Sequence, residues 1–343
     1  MDPITVVLFG WHSKKQSAAA DDSLFNPLQP YFEPEIVSVE WLDKIDVASL
    51  GDPSQPIVFF FAHPPFKQVA DLKRNVIWIP MWDMARYYPP SFWASIPPNV
   101  HIISFADAVS RVTRPAGLKT LDVRFFRDPA SLPPAPWTGE RVALYWNRVG
   151  LVSARFLARW CAAIKADRLL FKPHTDPYTH PSLRFTLPDH LGATAVEIVP
   201  HTESREDYFR LTERANIFLA PRQHEGIGMA FIEALARGCA VFAFDGETMN
   251  EYIRSGETGY LLTHQTSEFA RRLWRYRRKL RRLHIRDPWP TYMLRDDQPW
   301  EEMAVLDLPA LGRAARAEQE AGYRRWQADI PKMVEFIRDS ARI

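Results

Sequence analysis

Cysteine is nearly absent: Cys161 and Cys239 are the only two in 343 residues. They lack metal-ligand spacing, and so few thiols point to a reducing compartment rather than a disulfide scaffold. No stretch approaches the roughly 20 uninterrupted apolar residues of a membrane-spanning helix. Residues 1–10 run straight into an apolar, strand-like segment, without the basic start and long apolar core of a signal peptide. The expectation is a soluble, cytoplasmic protein. An excess of one charge is missing too: 43 Lys and Arg face 41 Asp and Glu, a formal net charge of +2, which argues against a protein built mainly to bind nucleic acid. There is no internal repeat at a fixed period and no low-complexity tract. No His/Asp cluster has ligand spacing and no Asp-x-Asp occurs, so no metal is expected.

What is present suits two α/β cores. Hydrophobic residues make up 46% of the chain, enough to bury two domains of ordinary size. Aromatics reach 13%, with 12 Trp, and many of the 29 Pro fall in pairs such as Pro64-Pro65 and Pro97-Pro98. Such pairs set rigid connections. Short apolar runs at 4–9, 36–41, 57–62, 76–80, 100–105 and 121–126 have the length and β-branched content of buried parallel strands. Helix-capable segments, such as 106–114, lie between several of them. The Pro-rich segment 128–139 has no periodicity and is the expected linker.

A second alternating series follows, with strands at 142–146, 169–172, 195–199, 217–220 and 240–244. Helices are expected at 152–166, 205–214 and 229–237, and a last helix at 315–338, interrupted at Pro331. Two doubly wound units joined by a hinge would place ligands at the carboxyl ends of the strands, in a cleft between domains.

The segment 221–238, PRQHEGIGMAFIEALARG, carries the clearest chemistry. A buried strand ends in a turn whose Gly226 and Gly228 allow backbone N–H groups to approach a ligand closely. The helix from Met229 then aims its N-terminus, with partial positive charge and unpaired N–H donors, at the same place. Glu225 and Glu233 add two carboxylate acceptors, which bind sugar hydroxyls through strong charge-assisted hydrogen bonds. A nucleotide sugar needs this combination of cationic ends for its diphosphate and acceptors for its ribose and hexose.

With seven residues between Glu225 and Glu233, followed by EALARG and by AVFAFDGETMNEYIRSGETGYLL with Glu251, Gly256 and Gly259, the chain resembles the retaining GT-B glycosyltransferases of family four, the Glu-x7-Glu type. The close part of the resemblance covers about forty residues, and the rest follows in outline. It implies two Rossmann-like doubly wound domains facing a central cleft, an N-terminal acceptor-side domain over 1–130 and a C-terminal donor domain over 140–312. A final helix within 313–343 would cross back onto the first domain. It also implies a metal-independent transfer without a cofactor, of a hexose from a nucleotide diphosphate sugar to a hydroxyl of a glycan or lipid-linked acceptor. Bacterial surface polysaccharide or glycolipid synthesis is the expected setting. The alternatives are a small soluble acceptor, or a degenerate protein that binds nucleotide sugar without turnover.

By the same resemblance, Glu225 would contact the donor sugar and Glu233 the ribose, and the amides of Gly226, Ile227, Gly228 and Met229 would meet the diphosphate. Relatives also carry an Arg and, about five residues on, a Lys at the start of the second domain. Arg148 fits the Arg, but the Lys place falls near Ser153, leaving Arg155, Lys172 or Arg222 to compensate. Gly10 opens into WHSKKQSAAADD with no second Gly where relatives have a Gly-Gly loop. On the acceptor side, Trp82 and Asp83 stand where relatives have a His-Asp-like element, and His63 follows an earlier strand. Glu225, Asp83 and His63 are the catalytic candidates.

Residues 271–286, RRLWRYRRKLRRLHIR, carry nine Lys or Arg among Leu273, Trp274, Tyr276, Leu280 and Leu283. Such a segment either binds anionic lipid headgroups, making the protein peripheral at the inner membrane face, or is a solvated helix face. Nucleic acid is not expected as a partner.

Overall fold

The computed structural model describes residues 1–9, 20–39, 45–52, 54–61, 63–175, 184–202, 204–263 and 298–341. The chain divides into two compact units. The first comprises Met1–Phe126, His224–Met229 and Ala321–Ile343, the second Arg127–Gln223 and Ala230–Glu320. The basic segment 271–286 and the loop after Gly10 lie outside the described residues.

In the first unit, β1 (Asp2–Phe9), β2 (Phe32–Val39), β3 (Ile57–Phe60), β4 (Val76–Ile79), β5 (Val100–Ser104) and β6 (Thr120–Asp122) form one sheet in the order β2-β1-β3-β4-β5-β6. All its neighbouring strands run parallel. Every residue of β3, β4 and β5 is buried, as expected of a parallel sheet covered on both faces. The edge strand β2 starts four residues earlier than the apolar run at 36–41 suggests, because its first half, FEPE, is mostly polar and exposed. Pro34 is tolerated there because an edge strand need not donate every N–H. The run at 121–126 yields a strand of only three residues. Short helices α1 (Phe66–Ala70), α2 (Trp82–Ala85) and α3 (Pro90–Ala94) and the longer α4 (Asp107–Thr113) follow the strands. Trp78 and Trp93 stack at 5.6 Å within this core.

The second unit holds β7 (Val142–Trp146), β8 (Arg168–Lys172), β9 (His190–Leu191), β10 (Thr194–Ile198), β11 (Ile217–Leu219), β12 (Ala240–Phe244) and β13 (Tyr260–Leu262), in the order β13-β12-β11-β7-β8-β10-β9. Only β9, a short hairpin partner of β10, is antiparallel. Without it the order is that of a Rossmann sheet, and the chain changes direction between β7 and β11, where such sheets bind ligands. Around it lie α5 (Ala154–Ala163), α6 (Arg205–Glu213), α7 (Met229–Arg237), α8 (Met249–Tyr252) and α9 (Trp300–Ala304). Buried Phe156, Leu157, Trp160 and Cys161 make the inner face of α5, and Trp160 packs edge-on against Phe242 at 5.5 Å. A capping box between Ser204 and Asp207 starts α6.

Two expectations need correction. The segment 128–139 is no free linker. Its Ala135 N–H donates to the Arg237 carbonyl at 2.7 Å, and the Trp137 indole donates to the Gly238 carbonyl at 2.9 Å. The Arg237 guanidinium in turn donates to Pro133 O at 3.1 Å. Its prolines leave carbonyls without competing N–H groups, and the second unit uses those carbonyls as anchors. The last helix, α10 (Leu308–Ala341), begins earlier than 315 and runs unbroken through Pro331. Proline removes one ladder bond and crowds the preceding turn. Burial of Trp326, Met333, Val334 and Ile337 on either side of it offsets that loss.

Candidate functional site

Two cations of the second unit, Arg148 after β7 and Lys172 at the end of β8, meet at the carboxyl ends of these strands. β7 and β8 pair in parallel with Trp146 opposite Lys172, so the two side chains stand on one face of the sheet. Lys172 Nζ lies 4.0 Å over the Trp146 ring, and the Arg148 guanidinium carbon lies 5.0 Å over the same ring. Lys172, only 2% exposed, also donates to Thr202 Oγ1 at 2.6 Å. Burial, and secondarily the Arg148 charge, pulls its pKa down to about 8. Backbone bonds hold the platform: Asn147 N–H donates to Lys172 O at 2.8 Å, Arg148 N–H to Trp146 O at 2.7 Å, and the Trp146 indole to His174 O at 2.5 Å.

Two helices close over these strand ends. From α6, Tyr208 places its ring 6.1 Å from that of Trp146 and 5.6 Å from Lys172 Nζ. Burial, then the charge of Glu233, raises the pKa of its phenol. The hydroxyl is buried and makes no hydrogen bond among the described residues. From α7, Glu233 is 7% exposed and meets Arg205 of α6, N to O 3.7 Å.

The loop between β11 and α7 carries Arg222, Gln223, Glu225, Gly226, Ile227 and Gly228. Gly228 takes φ +83°, which glycine adopts without strain. Glu225 is 8% exposed. A Cβ on Gly226 would come within 2.8 Å of Met81 Sδ in the first unit. Arg148, Lys172 and Glu233 thus share one end of one unit with Arg205 and Tyr208. Ser153, at the place where a Lys was sought, caps α5 by accepting from Phe156 N–H at 3.0 Å. Arg155 is exposed in the next turn, whereas Lys172 is buried beside Arg148.

Three residues of this neighbourhood escape a reading by sequence: Tyr208, Arg205 and Gln223. The first two sit on an ordinary amphipathic helix with no motif around them. Gln223 is 4% exposed, with neither its amide nitrogen nor its amide oxygen hydrogen-bonded among the described residues. A glutamine in the turn after an apolar strand, four residues beyond Leu219, is the one signal that could have marked it.

In the first unit, His63 follows β3, one of the two strands at the change of direction of that sheet. Phe61, two residues before it, holds φ +66°, costly for a bulky side chain and common near functional sites. His63 Nδ1 donates to Pro64 O at 3.1 Å. The imidazole stacks on Phe66 at 5.6 Å and meets the edges of Tyr88 and Phe92. Asp83 sits in the first turn of α2, where one carboxylate oxygen accepts from Met84 N–H at 3.1 Å. His63, in the loop after β3, and Asp83, in the helix α2 that follows β4, therefore belong to separate segments at the carboxyl edge of the sheet. Among the described residues no group of three or more His, Cys, Asp or Glu could hold a metal ion, and no helix is long and apolar enough to cross a membrane.

Residues 186–276 match the family described as glycosyl transferases group 1. No curated protein sequence matches the chain. Among solved structures, sucrose-phosphate synthase from Thermosynechococcus elongatus is similar at TM-score 0.59 and 13% identity, over 99% of this chain and 99% of its own. HepE from Anabaena, in complex with UDP and glucose, is similar at TM-score 0.60 and 11% identity, over 99% and 100%. A glycosyltransferase from Rickettsia africae gives TM-score 0.60 and 14% identity, over 99% and 99%. The fold is GT-B. Within this GT-B chain the matched family segment holds β9, β10, α6, β11, α7, β12, α8 and β13, and so Arg205, Tyr208, Glu225 and Glu233.

Proposed function

We propose that the chain is a glycosyltransferase that moves a hexose from a nucleotide diphosphate sugar to a hydroxyl of a glycan or lipid-linked acceptor, with retention at the anomeric carbon. Surface polysaccharide or glycolipid synthesis in a bacterium is the setting we assign to it. The observation that carries the reading is the cationic strand-end cluster of Arg148 and Lys172, which shares one end of the second unit's Rossmann sheet with Tyr208, Arg205 and Glu233; the Glu225-x7-Glu233 spacing in the sequence accompanies it. The match to glycosyl transferases group 1 over that turn and helix supports it. So does the complex of HepE, a protein of the same fold, with UDP and glucose.

In this reading the bond from the anomeric carbon to the diphosphate oxygen breaks and one to the acceptor oxygen forms, while the acceptor proton passes to the leaving diphosphate. Arg148, Lys172, Arg222 and the N–H groups of Gly226, Ile227, Gly228 and Met229 meet the developing charge. Glu233 accepts from the ribose hydroxyls and Glu225 from the hexose. His63 and Asp83 serve the acceptor side. No metal or cofactor is assigned. Residues 271–286 are proposed to hold the protein on anionic lipid, and pelleting with anionic liposomes before and after replacing their arginines tests that part.

The reading is tested by incubating the protein with UDP-, GDP- and ADP-sugars and measuring released nucleoside diphosphate. Slow, Glu225-dependent release from one donor is expected, and no release from any contradicts an enzyme. Ser153, a capping residue where a cation was sought, favours as a second reading a protein that binds nucleotide sugar without turnover. Binding without release is its signature.

A further inference from the structure

A buried guanidinium needs an acceptor at each nitrogen, because a charge taken out of water without partners is costly. Arg237, the last residue of α7, is 3% exposed. Its Nε donates to Pro133 O at 3.1 Å, and its Nη1 donates to Thr212 O near the end of α6. The third nitrogen, Nη2, is buried and has no hydrogen-bond partner among the described residues. The Tyr208 hydroxyl, on α6, is in the same condition. Two buried donors on neighbouring helices thus share one need.

Between α6 and α7, within the second unit, lies a cavity bordered by Arg237, Glu233, Thr212, Phe209 and Cys239. About 10 Å³ of it is open to the centre of a water molecule, roughly the space of one ordered water. Cavities that stay dry are apolar, whereas one lined by polar groups holds a water that makes two to four hydrogen bonds. Three polar groups converge on this one. Arg237 brings Nη2. Glu233, four residues earlier and so on the same face of α7, brings a carboxylate that is 7% exposed and paired with Arg205 at 3.7 Å. Tyr208 adjoins Phe209 of the cavity wall, and its phenol pKa is raised by burial, then by the Glu233 charge, with Cys239 and Arg237 acting more weakly.

We propose that this cavity is a water site: one ordered water accepts from Arg237 Nη2 and from the Tyr208 hydroxyl, and donates to the Glu233 carboxylate. Arg237 and Tyr208 are thereby positioning residues, which orient Glu233 through the water without touching the ligand themselves. Such a bridge is nearly as good as a direct hydrogen bond. It also differs from one in a useful way. A guanidinium fork set directly on Glu233 would engage both carboxylate oxygens, while a single water occupies one lone pair and leaves the others for a ligand. That the ligand group is a ribose hydroxyl rests on the function proposed above; the water does not.

Two arms test the inference. The first is a high-resolution crystal structure of the wild-type chain, which should place a water within about 3.2 Å of Arg237 Nη2, the Tyr208 hydroxyl and a Glu233 oxygen. A cavity without that water overturns the proposal. This arm needs no variant, so a poorly folding mutant does not blunt it.

The second arm is titration calorimetry of UDP, GDP, ADP and inorganic pyrophosphate against the wild type and Tyr208→Phe, with the melting temperature of each protein. Phenylalanine keeps the ring beside Trp146 and Lys172 and removes only the hydroxyl. The nucleotide that binds is expected to lose about 3- to 10-fold in affinity. Pyrophosphate should lose nothing, because Glu233 serves the ribose, and the melting temperature should not rise. A hydroxyl that is merely buried without a partner predicts the opposite, since its removal relieves a penalty. A higher melting temperature with unchanged nucleotide affinity therefore overturns the positioning role and leaves the nucleotide-sugar function standing. Equal losses for nucleotide and pyrophosphate overturn that role too, because the hydroxyl then acts on the diphosphate. If no nucleotide binds, that function and the positioning role fall together, and the crystal structure alone decides the water site.

Discussion

Arg205 of α6 and Glu233 of α7 form an ion pair in the second unit, guanidinium nitrogen to carboxylate oxygen 3.7 Å. The carboxylate is 7% exposed on a residue basis and lies close enough to Tyr208 to raise its phenol pKa. Such a carboxylate is oriented before any ligand arrives, because one oxygen is engaged and little freedom remains. A ribose that donates its hydroxyls to Glu233 would replace water, not a disordered side chain.

Glu233→Gln is therefore expected to weaken binding of the nucleotide sugar by about 10- to 100-fold, the worth of a charged hydrogen bond. Thermal stability without ligand should change little, since the amide fills the same space. Titration calorimetry with the donor selected by nucleotide release measures it. Equal loss for the nucleotide and for free pyrophosphate would argue that Glu233 acts on the diphosphate side instead.

Asn216, immediately before β11, is 1% exposed and ties the stretch 136–142 to that strand. Its amide donates to Pro136 O at 2.7 Å and to Glu140 O at 2.8 Å, and its oxygen accepts from Val142 N–H at 2.9 Å. Asn216→Ala leaves buried backbone groups unsatisfied and should cost about 1–3 kcal/mol. Urea unfolding should show a lower midpoint, with limited proteolysis moving to residues 128–139.

How much of this was legible in the sequence depended on what the residues had to do. Strands such as Val142–Trp146 and Ala240–Phe244 are recoverable to the residue, because burial of their centres writes a short apolar run, and the helix Met229–Arg237 because it fills the interval between two such strands. Edge strand β2 was blurred because exposure on one side admits polar residues and Pro34. The path of 128–139 was hidden because its proline carbonyls are anchored by residues such as Arg237 about a hundred positions away. In the candidate site, Glu225, Gly226, Gly228 and Glu233 stood out as a contiguous motif. Tyr208 and Arg205 did not, because they are placed by the sheet order and not by their neighbours in sequence; Gln223 lies inside the same segment, but a glutamine there carries no charge or turn signal of its own. Lys172 was one of several possible cations until its register with Trp146 put it beside Arg148.

His101, on β5 of the first unit, is 7% exposed and packs 5.8 Å from the Phe336 ring of α10. Its Nδ1 has no hydrogen-bond partner among the described residues. Burial, then the Lys119 charge, lowers its pKa from 6.5 to about 4. The native state thus holds the neutral ring, while the unfolded chain protonates near 6.5. Stability from this group is fully present above pH 6.5 and is lost as pH falls toward about 4. Melting temperature measured from pH 7 to pH 4 should fall less steeply in His101→Gln than in the wild-type protein. Parallel curves would show that other groups set the acid limit.

The central claim is that the second unit receives a nucleotide sugar at the ends of β7, β8 and β11. Its most direct test is thermal unfolding of the full chain with a panel of UDP-, GDP- and ADP-sugars at millimolar concentration, in wild type and in Arg148→Ala. Selective binding raises the apparent stability by mass action. One base family should raise the melting temperature of the wild-type protein by several degrees and that of Arg148→Ala by much less. An unchanged wild-type melting temperature across the whole panel, or an equal rise in both proteins, would contradict the account.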